Sequence, residues 1–332
     1  MDARALGRTG RTISPIGLGT WQLGADWGVV DEADARSVLA ASVDAGVTLF
    51  DTADVYGDGR SEGIIGAFLA ERGAHGVTVA TKMGRRMAQE PANYVPENFR
   101  AWTTRSRTNL GVDTLDLVQL HCPPSAVIED DATYEALDEL VREGAIAAYG
   151  VSVETCAQAL AAISRPGVSN VQIILNPFRL KPLDEVLPAA LAADVAIFAR
   201  VPLASGMLSG KYTSTTSFGD NDHRSYNRHG EAFDKGETFS GVDYEVGLAA
   251  ASELAATLPE GVSLPAATLA WIAAQPGVTS VIPGARNVAQ ATANAEAASL
   301  LEPGSDFDLD AFDRAVHDVY DRDLRAEIHP QW

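Results

Sequence analysis

Cysteine is nearly absent: Cys122 and Cys156 are the only two in 332 residues. That excludes a disulfide scaffold and points to a reducing, cytoplasmic setting. No run of eighteen apolar residues occurs, so no transmembrane helix is expected. The opening MDARALGRTGRT lacks the apolar stretch of a secretory signal. Positive charge is scarce, with 25 Lys and Arg against 45 Asp and Glu, a formal charge of −20. This balance opposes nucleic acid and anionic membrane as partners. An anionic ligand must then find a local cluster of Arg, Lys and helix N-termini. No G-x-G-x-x-G turn follows the first apolar run, which argues against an open dinucleotide-binding sheet. No G-x-S-x-G elbow occurs, so a serine hydrolase has little support.

What is present is a repeating pattern. The apolar fraction of 46% suffices for a large core. Short apolar, β-branched runs lie at 16–20, 48–51, 78–82, 115–121, 147–152, 171–175, 196–201 and 280–283. Most show no polar alternation, as expected of parallel strands covered on both faces. Segments of helical period separate them. In DEADARSVLAASVDAG, Asp31 caps, Ala35, Val38, Leu39 and Ser42 share a face, and Gly46 ends the helix. In RSEGIIGAFLAERG, Ser61 is expected to cap, Ile64, Ile65, Phe68 and Leu69 form the stripe, and Gly73 stops it. Eight such units over this length predict a single (β/α)8 TIM barrel domain spanning 1–332. The segment around Arg8–Gly10 reads as a small hairpin covering one end. The irregular stretch 213–242 is a long loop after strand seven, expected to overhang the active-site rim.

Catalytic side chains of such barrels come from the C-terminal ends of several strands. Those ends carry Asp51, Lys82, His121, Ser152, Asn176, Arg200 and, just beyond the last, Arg286. Singly, each has a structural reading: Asp51 as a helix cap, Lys82 as a rim residue, His121 as a core histidine. Collected at one mouth, they require another account. No pair of histidines with ligand spacing ends a strand, and Asp51 is the only carboxylate there, so no metal is expected. His223 and His229 lie in the long loop and read as solvated.

What remains is a phenol, an ammonium, a carboxylate and an imidazole. A tyrosine is a sluggish proton donor near neutral pH. A nearby lysine favours the phenolate and lowers its pKa. A carboxylate keeps that lysine charged inside a partly buried site. Asp51 is therefore expected to pair with Lys82, and Lys82 to tune Tyr56 in LFDTADVYG. His121 would bond a substrate oxygen or help relay the proton. This set protonates a carbonyl oxygen as hydride reaches its carbon. No side chain supplies hydride, so a nicotinamide cofactor is implied.

These residues lie in blocks that resemble the aldo-keto reductase family over nearly the whole chain. The blocks are GLGTWQLG, LFDTADVYG, ATKMG, DLVQLHCP, YGVSV, VQIILN, VPLASGMLSGKY and VIPGARN, in the family's order. The closing IHPQW is similar to the C-terminus of many bacterial members. The resemblance implies metal-free, NADPH-linked reduction of aldehydes or ketones, with Asp51, Tyr56, Lys82 and His121 as catalytic tetrad. It carries Ser152 and Gln172 onto the nicotinamide carboxamide and puts Thr20 and Trp21 beside the nicotinamide. Leu203, Ser205, Gly206, Leu208, Gly210 and Lys211 would wrap the pyrophosphate, with Asp51 and Pro202 also at the cofactor. Gly284, Arg286, Gln290 and Asn294 would hold the adenosine end. Arg286 suits a 2′-phosphate, which favours NADP over NAD.

The chain departs from the pattern in three places. Val153 replaces an asparagine, making Asn176 a candidate for the missing carboxamide contact. Arg200 replaces an aromatic residue that stacks on the nicotinamide. Gly284 and Ala285 replace a Lys-Ser pair, which puts more weight on Arg286. Trp21, Trp27, Tyr56, Met83 and His121 are expected at the substrate, with Arg85, His223, Arg224 and Tyr226 nearby. That mixture suits polyhydroxylated or carboxylated carbonyl compounds. The partner is a small carbonyl or alcohol, and the oligomeric state stays open. Two other readings remain: a non-catalytic NADP(H)-binding sensor or assembly subunit, and a lyase or isomerase using Lys82 as a Schiff-base amine.

Overall fold

The computed structural model describes residues 2–24, 30–73, 76–220 and 222–332. Trp27 lies outside them. Ten strands are present among these residues. β1 (Arg4–Ala5) and β2 (Thr12–Ile13) form an antiparallel hairpin. β3 (Leu18–Gly19), β4 (Leu49–Asp51), β5 (Thr78–Met83) and β6 (Leu117–His121) follow. β7 (Tyr149–Ser152), β8 (Val168–Ile174), β9 (Ala196–Arg200) and β10 (Val278–Val281) complete the set. Strands β3 to β10 pair in parallel, each with the next in sequence. Parallel bridges Ile16–Val281 and Gly19–Gly284 join the last strand to the first, closing the expected (β/α)8 barrel. Strand ends fall within three residues of the ends of the apolar runs.

Period two along each strand sorts the side chains. Phe50, Val79, Val118, Val151 and Ile197 belong to the large core that includes the helices, while Leu49, Ala80, Leu117, Ala196 and Phe198 form a second cluster with Leu6 and Ile13. The hairpin thus plugs the N-terminal end of the barrel with two aliphatic side chains. Two residues further along the same inward rows stand Asp51, Lys82, Gln119 and Arg200. The barrel interior is therefore apolar at its base and polar towards its mouth.

Helices follow the strands on the outside. In Glu32–Asp44, Asp31 caps the Asp34 N–H and the expected face is buried. Arg60–Arg72 departs from expectation at its start: Gly59, at φ 93°, is the N-cap, not Ser61. The Ser61 hydroxyl is buried and bonds Thr20 Oγ1 at 2.9 Å, tying this helix to the end of β3. The long segment after β9 is compact, with turns His223–Tyr226, Lys235–Glu237 and Phe239–Gly241. Its last part is pinned by the C-terminus, where Trp332 Nε1 donates to Asp234 Oδ1 at 3.0 Å and the Trp332 ring centroid lies 4.3 Å from the Arg179 guanidinium. No described helix is long and apolar enough to cross a membrane.

Candidate active site

Strand register aligns the polar ends. Asp51 pairs with Gly19 and Ala80, Lys82 with Gln119, His121 with Ser152, and Ser152 with Gln172. Lys82 Nζ donates to Asp51 Oδ1 at 2.6 Å, Thr52 O at 2.9 Å and Tyr56 Oη at 3.4 Å. The Lys82 and Asp51 side chains are only 1% and 5% exposed, so neither charge would be tolerated there alone. Asp51 Oδ2 accepts from Gln172 Nε2 at 2.7 Å, and the same nitrogen reaches Gln119 Oε1 at 3.1 Å. Gln119 Nε2 in turn donates to Asn170 Oδ1. An amide ladder thus crosses the barrel and holds the carboxylate. Gln119 and Asn170 were missed by the sequence reading, although Gln119 sits two residues before His121 on one inward row.

Tyr56 is held against this group by a close backbone approach. A Cβ on Gly57 would meet Gly24 O at 2.1 Å, and one on Gly24 would meet Gly57 N at 2.7 Å. Two glycines here let the Trp21 and Tyr56 segments touch, and their rings stack at 6.2 Å between centroids. The His121 ring meets Tyr56 edge-on at 6.0 Å. His121 Nδ1 is buried without a hydrogen-bond partner among the described residues.

Electrostatics correct one expectation. Burial raises the Tyr56 pKa and is the largest influence; Lys82 lowers it, Asp51 raises it, and the net direction is upward. Lys82 thus acts in the expected sense, but desolvation outweighs it, and the phenol keeps its proton at neutral pH. Burial opposes the charge on Lys82, yet Asp51 and Tyr56 together hold its pKa above the ordinary value. His121 is driven well below its usual pKa by burial, then by Arg85, Lys82 and Arg200, so its imidazole is neutral.

Two cavities meet at Tyr56 and His121. The larger, ≈ 720 Å³, lies within the size range of ligand pockets, about 300–1,000 Å³. Thr20, Trp21, Asp51, Ser152, Gln172, Arg200, Pro202, Leu203, Ser205 and Gly206 line its inner part. Lys211, Arg224, Gly284, Arg286, Gln290 and Asn294 line it further out, giving an acidic protein the local positive charge that an anionic ligand needs. The turn at its centre is strained: Val201, a β-branched residue, has φ 52°, followed by Ala204 and Ser205 at 45° and 55°. Such conformations gather at ligand sites.

Several expected residues lie elsewhere. Met83 falls one residue past Lys82, so it faces outward into the helix-packed core and lines neither cavity. The Asn176 amide is committed to Val201 O at 2.9 Å and Ser240 Oγ at 2.7 Å, bracing the long loop. Leu208 and Gly210 do not line either cavity, and Tyr226 is turned to the surface beside Phe233. Arg85 lines the smaller cavity, His223 and Arg224 the larger.

Arg200 is not a bare cation. Its Nη2 lies 2.6 Å from Glu154 Oε2 and its Nη1 lies 3.3 Å from Glu237 Oε1. Glu154 and Glu237 were not singled out in the sequence, where nothing marks them as neighbours. Together with Cys122 Sγ they offer three ligand atoms within 4.8 Å of one another. Two guanidiniums, Arg85 and Arg200, already occupy that position for a cation.

Asp54 was also missed. It is fully buried, and neither carboxylate oxygen has a hydrogen-bond partner among the described residues. Burial first, then Glu62, pushes its pKa up to about 7 against the pull of Arg86 and Arg105. Between its unfolded and folded pKa values the folded chain binds the extra proton, so stability falls as pH rises through that window. Asp54→Asn should therefore be more stable than the parent, by a margin that grows about 2–3 kcal/mol from roughly pH 5 to 8 and then levels off. Urea unfolding at several pH values reads it; a constant margin would show that Asp54 does not ionise in this window.

Comparison with known proteins bears on this arrangement. The model of the aldo/keto reductase family matches residues 15–315. Among curated proteins, the uncharacterized oxidoreductase YqkF of Bacillus subtilis is 30% identical over 90% of this chain and 92% of its own length. The aldo-keto reductase YhdN of the same organism is 32% identical over 89% of this chain and 88% of its own. The solved glycerol dehydrogenase AKR11B4 of Gluconobacter oxydans superposes with a TM-score of 0.78 at 28% identity, covering 100% of this chain and 98% of that one. Barrel, ordered strand ends and family match agree: the chain belongs to the aldo-keto reductase family of oxidoreductases.

Proposed function

We propose that this protein reduces aldehydes or ketones to alcohols with NADPH, and that Tyr56 donates the proton. The observation that carries the reading is Lys82 Nζ, set between Asp51 Oδ1 at 2.6 Å and Tyr56 Oη at 3.4 Å where two cavities meet. The larger cavity fits a dinucleotide by its size and by the cations Lys211, Arg224 and Arg286 along its outer part. A bound nicotinamide supplies hydride to the carbonyl carbon.

The chain's own residues do the rest. Tyr56, protonated at rest, stands as general acid to the carbonyl oxygen. As the proton leaves, the phenolate forms beside the Lys82 ammonium, which is where that charge is best tolerated. Asp51 keeps Lys82 charged and in place, and Gln172 fixes Asp51. Neutral His121 offers a ring N–H to the same oxygen and, being uncharged, does not compete as the acid. Ser152 and Gln172 border the inner cavity as carboxamide partners, and Arg286 reads the 2′-phosphate.

Loss of NADPH absorbance with stoichiometric formation of alcohol, over a panel of aldehydes and ketones, tests the activity. No consumption with any of them would sink the reading. Arg286→Ala should raise the Kd for NADPH about tenfold to a hundredfold, the loss of a charge-assisted contact, with NADH little changed. Equal losses for both would remove Arg286 from 2′-phosphate recognition.

A further inference from the structure

Four charged residues from four parts of the chain form a closed quartet beside the larger cavity. Arg85 follows β5, Glu154 follows β7, Arg200 ends β9, and Glu237 lies in the turn Lys235–Glu237 of the long loop. Arg200 Nη2 lies 2.6 Å from Glu154 Oε2 and its Nη1 lies 3.3 Å from Glu237 Oε1. Arg85 Nη2 lies 3.3 Å from Glu154 Oε1 and 3.5 Å from Glu237 Oε1. Burial opposes the charge on Arg200, yet Glu154 and Glu237 together hold its pKa well above the ordinary value. Burial likewise opposes the charge on Glu154, but Arg200 and then Arg85 hold its pKa below the ordinary value. Two cations and two anions leave the quartet without net charge.

The four members stand differently towards the cavities. Arg200 and Glu237 line the larger one together with Ser152, Gln172, Tyr56 and His121, and Arg85 and Glu237 line the smaller. Glu154 lines neither, although its carboxylate makes the shortest of the four contacts, the one to Arg200. The other charges at this end of the barrel cancel as well. Lys82 and Asp51 form a buried pair. His121 is kept neutral by burial, then by Arg85, Lys82 and Arg200. The ionised groups around the inner part of the larger cavity thus sum to zero, and that balance depends on Glu154, which the cavity does not touch.

The two forms of a nicotinamide cofactor differ by one positive charge, carried on the ring that exchanges hydride. That ring must reach the carbon whose oxygen meets Tyr56, so it belongs to the inner part of the larger cavity. An unbalanced Arg200 there would repel the oxidised ring and leave the neutral, reduced ring unaffected. The phosphates are common to both forms, so their attraction to any cation cancels when the two affinities are compared. Resting on the reductase reading, we propose that Glu154, acting through Arg200, sets the relative affinity of the protein for oxidised and reduced NADP. With the quartet balanced, the oxidised cofactor meets no electrostatic penalty; with one carboxylate neutralised, it meets that of a full unit charge. Glu237 contributes in the same sense from the loop side. Glu154 makes no contact with cofactor or substrate in this scheme and works only through the charge it offsets.

The test is the ratio of Kd for NADP⁺ to Kd for NADPH, each measured by quenching of tryptophan fluorescence with no carbonyl compound present. Glu154→Gln keeps the shape of the side chain and leaves two cations against one anion, so the ratio should rise about tenfold. Arg200→Met leaves one cation against two anions, and the ratio should fall below that of the parent. The double variant is neutral again, and its ratio should return to within about threefold of the parent. A purely structural role would weaken both forms together and leave the ratio unmoved. Ratios within about twofold of the parent in both single variants, or shifts of the same sign, overturn the proposal and leave the reductase reading standing. Should Arg200→Met fail to fold, Glu237→Gln gives the second reading: its ratio should also rise, and no rise in either glutamine variant overturns the proposal. Binding of neither nucleotide to the parent overturns the reductase reading and this proposal with it.

Discussion

Tyr56→Phe should lower kcat for carbonyl reduction by about 10³-fold, within the roughly 10²–10⁴ range for a positioned proton donor, with NADPH affinity nearly unchanged. The size of the effect follows from the lack of a substitute. His121 is neutral because burial and three nearby cations, Arg85, Lys82 and Arg200, oppose its protonation. Lys82 is committed to Asp51 and Thr52. Phenylalanine preserves the ring that stacks on Trp21 and meets His121, so packing changes little and the lost turnover reports the hydroxyl. Because burial raises the Tyr56 pKa, the parent rate should stay level from neutral to mildly alkaline pH. A variant retaining turnover within about fivefold of the parent would remove Tyr56 from the acid role.

Lys82→Met should cost both activity and stability. The pair it breaks is buried, and a carboxylate left alone there destabilises by about 3–5 kcal/mol. Gln172 would still bond Asp51 Oδ2 at 2.7 Å, which places the loss towards the lower part of that range. The double variant Lys82→Met, Asp51→Asn removes the stranded charge and should recover most of the stability, since a buried pair replaced by neutral groups is often near neutral overall. It should recover no turnover, because the forming phenolate then lacks its ammonium. Urea unfolding and kcat, measured on the parent and both variants, separate the two roles. Turnover restored in the double variant would show that Lys82 acts only to satisfy Asp51.

Much of this was written into local sequence. Apolar β-branched runs separated by capped amphipathic segments leave few architectures besides a closed βα barrel. Asp51, Lys82 and His121 stand out because a polar residue ending an apolar run must be explained by a partner. Their convergence follows from the register of parallel neighbours, which places strand ends at one level. Period two even marks which of two adjacent residues faces inward, yet Lys82 and Met83 were both assigned to the site. The strand runs one residue further than its apolar run suggested, and Met83 belongs to the helix-facing core.

Closure of the barrel decided the rest. Arg85, Glu154, Arg200 and Glu237 are dispersed along the chain, and no local pattern says that two guanidiniums and two carboxylates will meet. Arg200 read alone looked like a charge awaiting a cofactor; in the fold its charge is balanced by carboxylates from another strand end and from the long loop. Asn176 read as a cofactor contact, but folding spends its amide on that loop. Tyr56 shows the same limit in energetic form. Its neighbours in LFDTADVYG predict an acidified phenol, while the depth of burial, set by everything packed around it, turns the net shift upward. Residue type and spacing carry chemistry and strand order, because those depend on near neighbours along the chain. Desolvation and long-range charge pairing depend on what surrounds a group in space, and only the tertiary structure supplies that.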